Sequence, residues 1–210
     1  KDKISSHDTD FLNSRYGQNL FLEGHFESEK YFYKYKDDIA KQFIFKNIDN
    51  YTNNPYYKMI KNSNSVSICI RQNRFSEKIR NENSVDRRKS EIFTEEQINY
   101  VKKGVEIIKS KINNPKFFLW SNRYIDLENY FSKDQFTMII SDNFISKDKK
   151  VILDLFLMTQ AQNHIVTPSS YNWWGCWLSQ NKNKIVLRPT EKNFSNFKFK
   201  NTDLWPEVWL

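Results

Sequence analysis

Hydrophobic positions come in short runs along the chain, and their spacing predicts alternating strands and helices. Residues 65–71 form the clearest strand: Val66, Ile68 and Ile70 alternate with Ser67 and Cys69. All these residues are small or β-branched, as in a sheet covered on both faces. Residues 94–112 predict a helix, opened by Thr94 and Gln97 as a capping box and carrying Ile98, Val101, Val105, Ile108 and Ile112 at helical spacing. Strands follow at 116–121 and 136–141, with a short helix at 125–131 between them. A helix at 152–161 leads to a β-rich run at 164–167, which Pro168 breaks. An aromatic helix at 171–179 and a strand at 184–188 complete the alternation. Upstream, the pattern predicts a strand at 19–24 closed by Gly24. A helix capped by Ser28 follows, with Tyr31, Phe32, Tyr35 and Ile39 on its buried side. Turns at 47–54 and a short helix at 55–62 come next.

Strands alternating with helices imply an α/β fold, a parallel sheet with helices on both faces. Ligands of such sheets bind beyond the carboxyl ends of the strands. Arg71, Ser121-Asn122 and Ser169-Ser170 all fall at such ends. A guanidinium fork there suits a phosphate; the same arginine could simply open a surface loop. Ser169 and Ser170 before a helix offer hydroxyls beside free N–H groups, a recipe for holding an anion. The same serines could equally be a plain helix cap.

The 210 residues are 39% hydrophobic and 16% aromatic, enough for a packed core and against disorder. The net charge of +8 suits an anionic partner, although the lysines are scattered as on an ordinary solvated surface. Cys69 and Cys176 lie in apolar runs and read as two reduced thiols, which points to a cytoplasmic setting. No apolar run approaches the roughly 18 residues of a membrane span. Peripheral contact with the inner membrane through the basic surface stays open. The sequence carries no recognised nucleic-acid motif, no His/Cys metal spacing and no Gly-rich phosphate loop.

Residues 154–178 resemble the last motif of the bacterial α-1,2-fucosyltransferases, through Asp154, Leu157-Met158, Ser169-Ser170, Tyr171 in place of phenylalanine, and Trp173-Trp174-Gly175. Pro168 and Asn172 depart from that motif. Ser28 to Phe32 match a second family segment, with Glu27 in place of a glutamine. Arg71 matches the first arginine of the family's histidine-x-arginine-arginine-x-aspartate strand end, where Cys69, Gln72 and Arg74 replace the other three residues. Ser121 matches a further strand end, where Asn122 and Arg123 replace two acids.

The resemblance spans residues 19–210. It implies a GT-B glycosyltransferase with a Rossmann-like nucleotide-sugar domain. Such an enzyme moves fucose from GDP-fucose to a galactose hydroxyl of a surface glycan, in α-1,2 linkage, with inversion and with neither metal nor other cofactor. It implies donor binding by Arg71, Ser121, Asn122, Asp154, Ser169 and Ser170, with Asp154 on the guanine and the two serines on the phosphates. Arg71 would also stabilise charge on the departing GDP. Glu27 and Glu77 are the candidates for general base, and Arg74 is a candidate displaced charge. The expected organisation is residues 1–62 as the remnant of an amino-terminal domain and linker, 63–190 as the donor domain, and 191–210 as a tail packing back. The family's opening glycine-asparagine-glutamine-methionine-phenylalanine stretch does not occur in the sequence, so the chain is expected to begin partway through that first domain. The alternatives are a sibling glycosyltransferase using another nucleotide sugar, or an inactive nucleotide- or sugar-binding module.

Overall fold

The structure, a computed structural model, describes residues 7–15, 17, 19, 21, 27–46, 48–76, 84–141, 147–197 and 203–210. Among them, five parallel strands form one sheet: β1 (Asn64–Ile70), β2 (Pro115–Ser121), β3 (Phe136–Met138), β4 (Asn163–Ile165) and β5 (Val186–Leu187). Their order is β3-β2-β1-β4-β5. The helices are α1 (Thr9–Asn13), α2 (Lys36–Gln42), α3 (Ile48–Thr52), α4 (Pro55–Lys61), α5 (Ser84–Lys111), α6 (Lys147–Gln160) and α7 (Ser170–Trp177).

The two-residue period of the strands sorts the core into layers. Val66, Ile68 and Ile70 of β1, with Phe117 and Leu119 of β2, pack against Ile98, Val101, Val105 and Ile108 of α5. Phe118 and Trp120 point the other way, onto Ile60 of α4 and Leu153, Phe156 and Leu157 of α6. A third cluster joins Trp173 and Cys176 of α7 to Val186, Trp205 and Trp209. The chain end brackets β5: Leu210 N–H donates to the Val186 carbonyl at 2.8 Å, and Arg188 N–H to the Leu210 carbonyl at 2.7 Å. The expected α/β class, with a parallel sheet covered on both faces, is the one observed.

Several element boundaries differ from expectation. Helix α5 starts at Ser84, so Thr94 is an interior residue and no capping box exists there. Thr94 instead donates its hydroxyl to the Ser90 carbonyl at 2.8 Å, the back-bond that lets threonine sit inside a helix. The highly charged residues before Thr94 are therefore helical from residue 84, with Arg88 and Glu91 paired along them; residues 77–83 lie outside the described set. Residues 48–52 are helical rather than turns. The helix expected at 125–131 shrinks to one 3-10 turn, Leu127–Asn129, because Asp126 takes a left-handed φ of 56°. Ser28 does cap, its Oγ accepting from Lys30 N–H at 3.3 Å, but it opens two 3-10 turns before α2, and Tyr35 is exposed. Helix α6 starts five residues early, and β3, β4 and β5 are shorter than expected. The strand expected at 19–24 falls largely outside the described residues.

His164 on β4 is fully buried opposite Ser67 on β1, its Nδ1 2.6 Å from Ser67 Oγ. Burial, with Lys184 nearby adding to it, lowers its pKa from 6.5 to about 3. The folded protein therefore keeps this ring neutral where the unfolded chain takes up a proton. That contribution to stability is complete above pH 6.5 and is lost as pH falls toward 3. Between pH 7.5 and 5.5 the loss from this ring is about 1.4 kcal/mol. Urea unfolding at the two pH values should show it, and His164→Gln should remove that part of the pH dependence. An unchanged pH dependence in the variant would count against the buried neutral ring.

Candidate active site

Strand order reverses between β1 and β4: the chain runs outward through β2 and β3, then returns to the other side of β1. At such a switch point the connections leave in opposite directions and open a crevice beyond the strand ends. Arg71 follows directly from β1. Pro168, Ser169 and Ser170 follow β4 and start α7. The structure thus brings Arg71 and the serine pair to neighbouring strand ends.

Arg71 is held by its backbone. Gln97 of α5, almost wholly buried, accepts from Arg71 N–H at 3.1 Å through Oε1 and donates to the Arg71 carbonyl at 3.0 Å through Nε2. Three residues on, Arg74 donates from Nη1 to the Pro168 carbonyl, spanning from the β1 end to the α7 start. Its guanidinium lies 5.0 Å from the centre of the Phe93 ring. Burial, and then the charge of Arg71, hold its pKa below the ordinary arginine value, while Glu27 works in the opposite sense.

Ser169 has extended backbone at the N-cap of α7, and its carbonyl accepts from Trp173 N–H at 2.9 Å. Its hydroxyl makes no capping bond, so it is not used as an ordinary cap. Neither serine hydroxyl has a partner among the described residues, and Ser170 is exposed. Below them Thr167 Oγ1 donates to the Cys69 carbonyl at 2.5 Å, and the buried Asn172 amide donates to Thr167 Oγ1 at 3.3 Å. The motif's Trp173 packs with Trp205 and Trp209 and donates its Nε1 to the Leu204 carbonyl at 2.9 Å. Gly175 lets α7 lie against α6: a Cβ there would stand 3.0 Å from Met158 Cβ and 3.1 Å from its sulfur.

Asp154 of α6 is nearly buried and accepts from Ser141 Oγ at 2.7 Å. Its charge reaches Cys69, Tyr124 and Tyr171. The Cys69 thiol is pushed up to about 12 by burial and by Asp154, with Arg71 opposing, so Arg71 and Asp154 flank the same residue. Ser121 and Asn122 sit across β1 from the serine pair. Ser121 Oγ accepts from Arg123 N–H at 3.3 Å. Asn122 Oδ1 accepts from Gln72 N–H at 2.9 Å, and its amide donates to Asn73. Both therefore brace the loops after β1 and β2. Glu27 is exposed, and Glu77 lies outside the described residues. Among the described residues no three His, Cys, Asp or Glu side chains converge as metal ligands.

The sequence reading missed Gln97, Thr167 and Asn172 as residues that hold the site. Gln97 had one usable signal: it is a polar residue inside an otherwise apolar helical stripe with Phe93, Tyr100 and Val101.

Sheet order and polar crevice define a doubly wound α/β protein with a Rossmann-like parallel sheet. The chain belongs to glycosyl transferase family 11, which it matches over residues 2–210. It is 28% identical over 189 residues to an alpha-1,2-colitosyltransferase of Escherichia coli, covering 89% of this chain and 60% of that protein. It is 28% identical over 109 residues to the Escherichia coli O-antigen biosynthesis glycosyltransferase WbnK, covering 51% of this chain and 35% of the relative. No solved structure matches it.

Gln97→Leu leaves the Arg71 N–H and carbonyl without their partners and should destabilise the fold by about 1–3 kcal/mol. Gln97→Glu keeps the acceptor but sets a buried carboxylate against the Arg71 and Phe93 carbonyls, and should cost at least as much. Urea unfolding measures both, and a Leu variant as stable as the parent would mean the clamp does not hold Arg71.

Proposed function

We propose that this chain carries the donor-binding part of an inverting glycosyltransferase that takes fucose from GDP-fucose to a galactose hydroxyl of a surface glycan, in α-1,2 linkage. One observation supports the reading: Arg71 follows β1 and Ser169-Ser170 follow β4, neighbouring strands where the strand order reverses, and the two serine hydroxyls have no partner among the described residues. The chain spans about 60% of the colitosyltransferase it matches, so the acceptor and the whole reaction belong to the proposal.

In this reading the diphosphate lies between Arg71 and the start of α7. Asp154 accepts from the guanine ring N–H and exocyclic amine, alongside its bond from Ser141. The acceptor hydroxyl attacks the anomeric carbon on the face opposite the diphosphate. The new glycosidic bond forms as the carbon–oxygen bond to phosphate breaks, and the electron pair stays on the β-phosphate oxygen. Arg71 and the Ser170 hydroxyl stabilise that growing charge, with the guanidinium in the role a metal ion fills elsewhere. The acceptor's proton passes to a carboxylate, for which Glu27 and Glu77 remain the candidates.

A second reading keeps the chemistry and changes the sugar: the first relative's name specifies colitose rather than fucose. Peripheral membrane contact through basic side chains belongs to the same proposal. Among the described residues no helix is long and apolar enough to cross a membrane.

Thermal-shift and calorimetric titration with GDP, UDP and CMP test the donor class. GDP should stabilise the protein most. Arg71→Ala should weaken GDP about tenfold or more, as loss of a charged hydrogen-bonding partner does. Asp154→Ala should erode the preference for GDP over UDP. Transfer from GDP-fucose against GDP-colitose then decides the sugar, and indifference to all three nucleotides would overturn the donor reading.

A further inference from the structure

The family's second arginine is replaced by Gln72, and the structure shows where that side chain goes. Gln72 Nε2 donates to the Ile125 carbonyl at 2.7 Å, and Ile125 N–H donates back to Gln72 Oε1 at 3.2 Å. This amide is turned toward β2, away from the crevice between β1 and β4, and position 72 contributes no charge.

Arg74 occupies the other side. Its Nη1 is bound to the Pro168 carbonyl, one residue before the N-cap of α7. The Phe93 ring covers its guanidinium. Phe93 is in turn wedged by Phe75, Phe194 and Phe197, so the stacking surface is fixed on several sides. An arginine has five N–H donors in one plane. The bond to Pro168 uses one, and the others have no hydrogen-bond partner among the described residues. A half-buried cation is thereby anchored one residue before the N-cap Ser169, at the start of the segment whose serine hydroxyls also lack partners among the described residues, and it feels the Arg71 charge. Positive charge gathered beside a helix start favours an anion there, and Glu27 is an acid that already acts on Arg74.

We propose that Arg74 is a second phosphate ligand of the donor site, supplying from the α7 side of the crevice the cation that position 72 no longer provides. The proposal rests on the nucleotide-sugar reading above. Arg71 and Arg74 then grip the diphosphate from two directions, with Ser169, Ser170 and the first N–H groups of α7 completing the cradle. Arg74 also couples ligand to fold, because the same guanidinium that meets phosphate secures Pro168.

The full chain and its Arg74→Gln, Arg74→Lys and Arg71→Ala variants, titrated with GDP and with inorganic pyrophosphate at two salt concentrations, test this. Glutamine can still donate to the Pro168 carbonyl, so it separates the brace from the charge. Arg74→Gln should weaken both probes about tenfold or more and reduce the salt dependence of binding by about one ion. Arg74→Lys should fall between it and the parent. Parent-like binding in both Arg74 variants, with Arg71→Ala still impaired, would overturn the proposal and leave the nucleotide reading intact. A parent chain that binds pyrophosphate but not GDP would sink the guanine assignment alone, with the Arg74 variants still decisive on pyrophosphate. Binding of neither probe by the parent overturns both. Where the glutamine variant melts lower, the salt slope decides: a slope equal to the parent's counts against a phosphate contact from Arg74, and one reduced by about one ion supports it.

Discussion

The seam between β1 and β4 is the interaction on which the rest depends. It is the one place in the sheet where the connections diverge, so no crossover helix bridges it above the strand ends. Main-chain pairing here is short, running from Val66 opposite Asn163 to Ile68 opposite Ile165. Side chains continue the closure. Ser65 Oγ accepts from Gln162 N–H at 3.1 Å, Ser67 meets His164, and Thr167 donates to the Cys69 carbonyl. The small polar residues of β1 are therefore stitches along one edge rather than neutral filler. Bulkier residues would hold the strands apart and lose bonds that, once buried, have no water to replace them.

Above that seam positive charges gather. Arg71 and Arg74 oppose each other's charge, and the partial positive charge of the α7 start adds to theirs. Among the described residues, the acid that acts on Arg74 is Glu27, an exposed residue. In the proposed reading, this concentration of positive charge is what draws the donor's diphosphate. Asp154 does not undo it, because its carboxylate is committed to Ser141 and lies on the α6 side of Cys69.

Much of this was legible before any coordinates, and for a physical reason. A strand covered on both faces carries small or β-branched residues with no long polar side chain until its end, so residues 65–71 announced both their conformation and their central position. Once strands alternated with helices, Arg71 and Ser169-Ser170 had to emerge at the same edge. What could not be read depended on partners distant in sequence. Thr94 and Gln97 form a convincing capping box until the helix is seen to start ten residues earlier, which frees Gln97 for the Arg71 peptide. Asn122 looked like a ligand at a strand end, but its amide is occupied by Gln72 and Asn73. The Trp-Trp-Gly motif, the most specific resemblance, is chiefly packing: an indole donating to the Leu204 carbonyl and a glycine that lets α7 touch Met158.

That packing has a consequence for the crevice. Helix α7 is short, yet its far end is anchored from several sides. Trp177 Nε1 donates to Glu29 Oε2 at 3.0 Å, Phe32 and Phe43 stack on Trp174, and Trp173 stacks on Trp177. Lys30 bonds Asp203 at 2.6 Å, joining the segment that carries Phe32 to the tail that carries Trp205 and Trp209. Each partner shifts the other's pKa in the direction that favours the ion pair. With its back turns held by aromatic contacts and its flank pressed against α6 at Gly175, α7 has little freedom to tilt. The N–H groups and hydroxyls at its start are therefore aimed before any ligand arrives. Donors aimed in advance need no reorganisation when charge develops. In the proposed reading the tryptophans far from the crevice thus serve the same end as the serines within it.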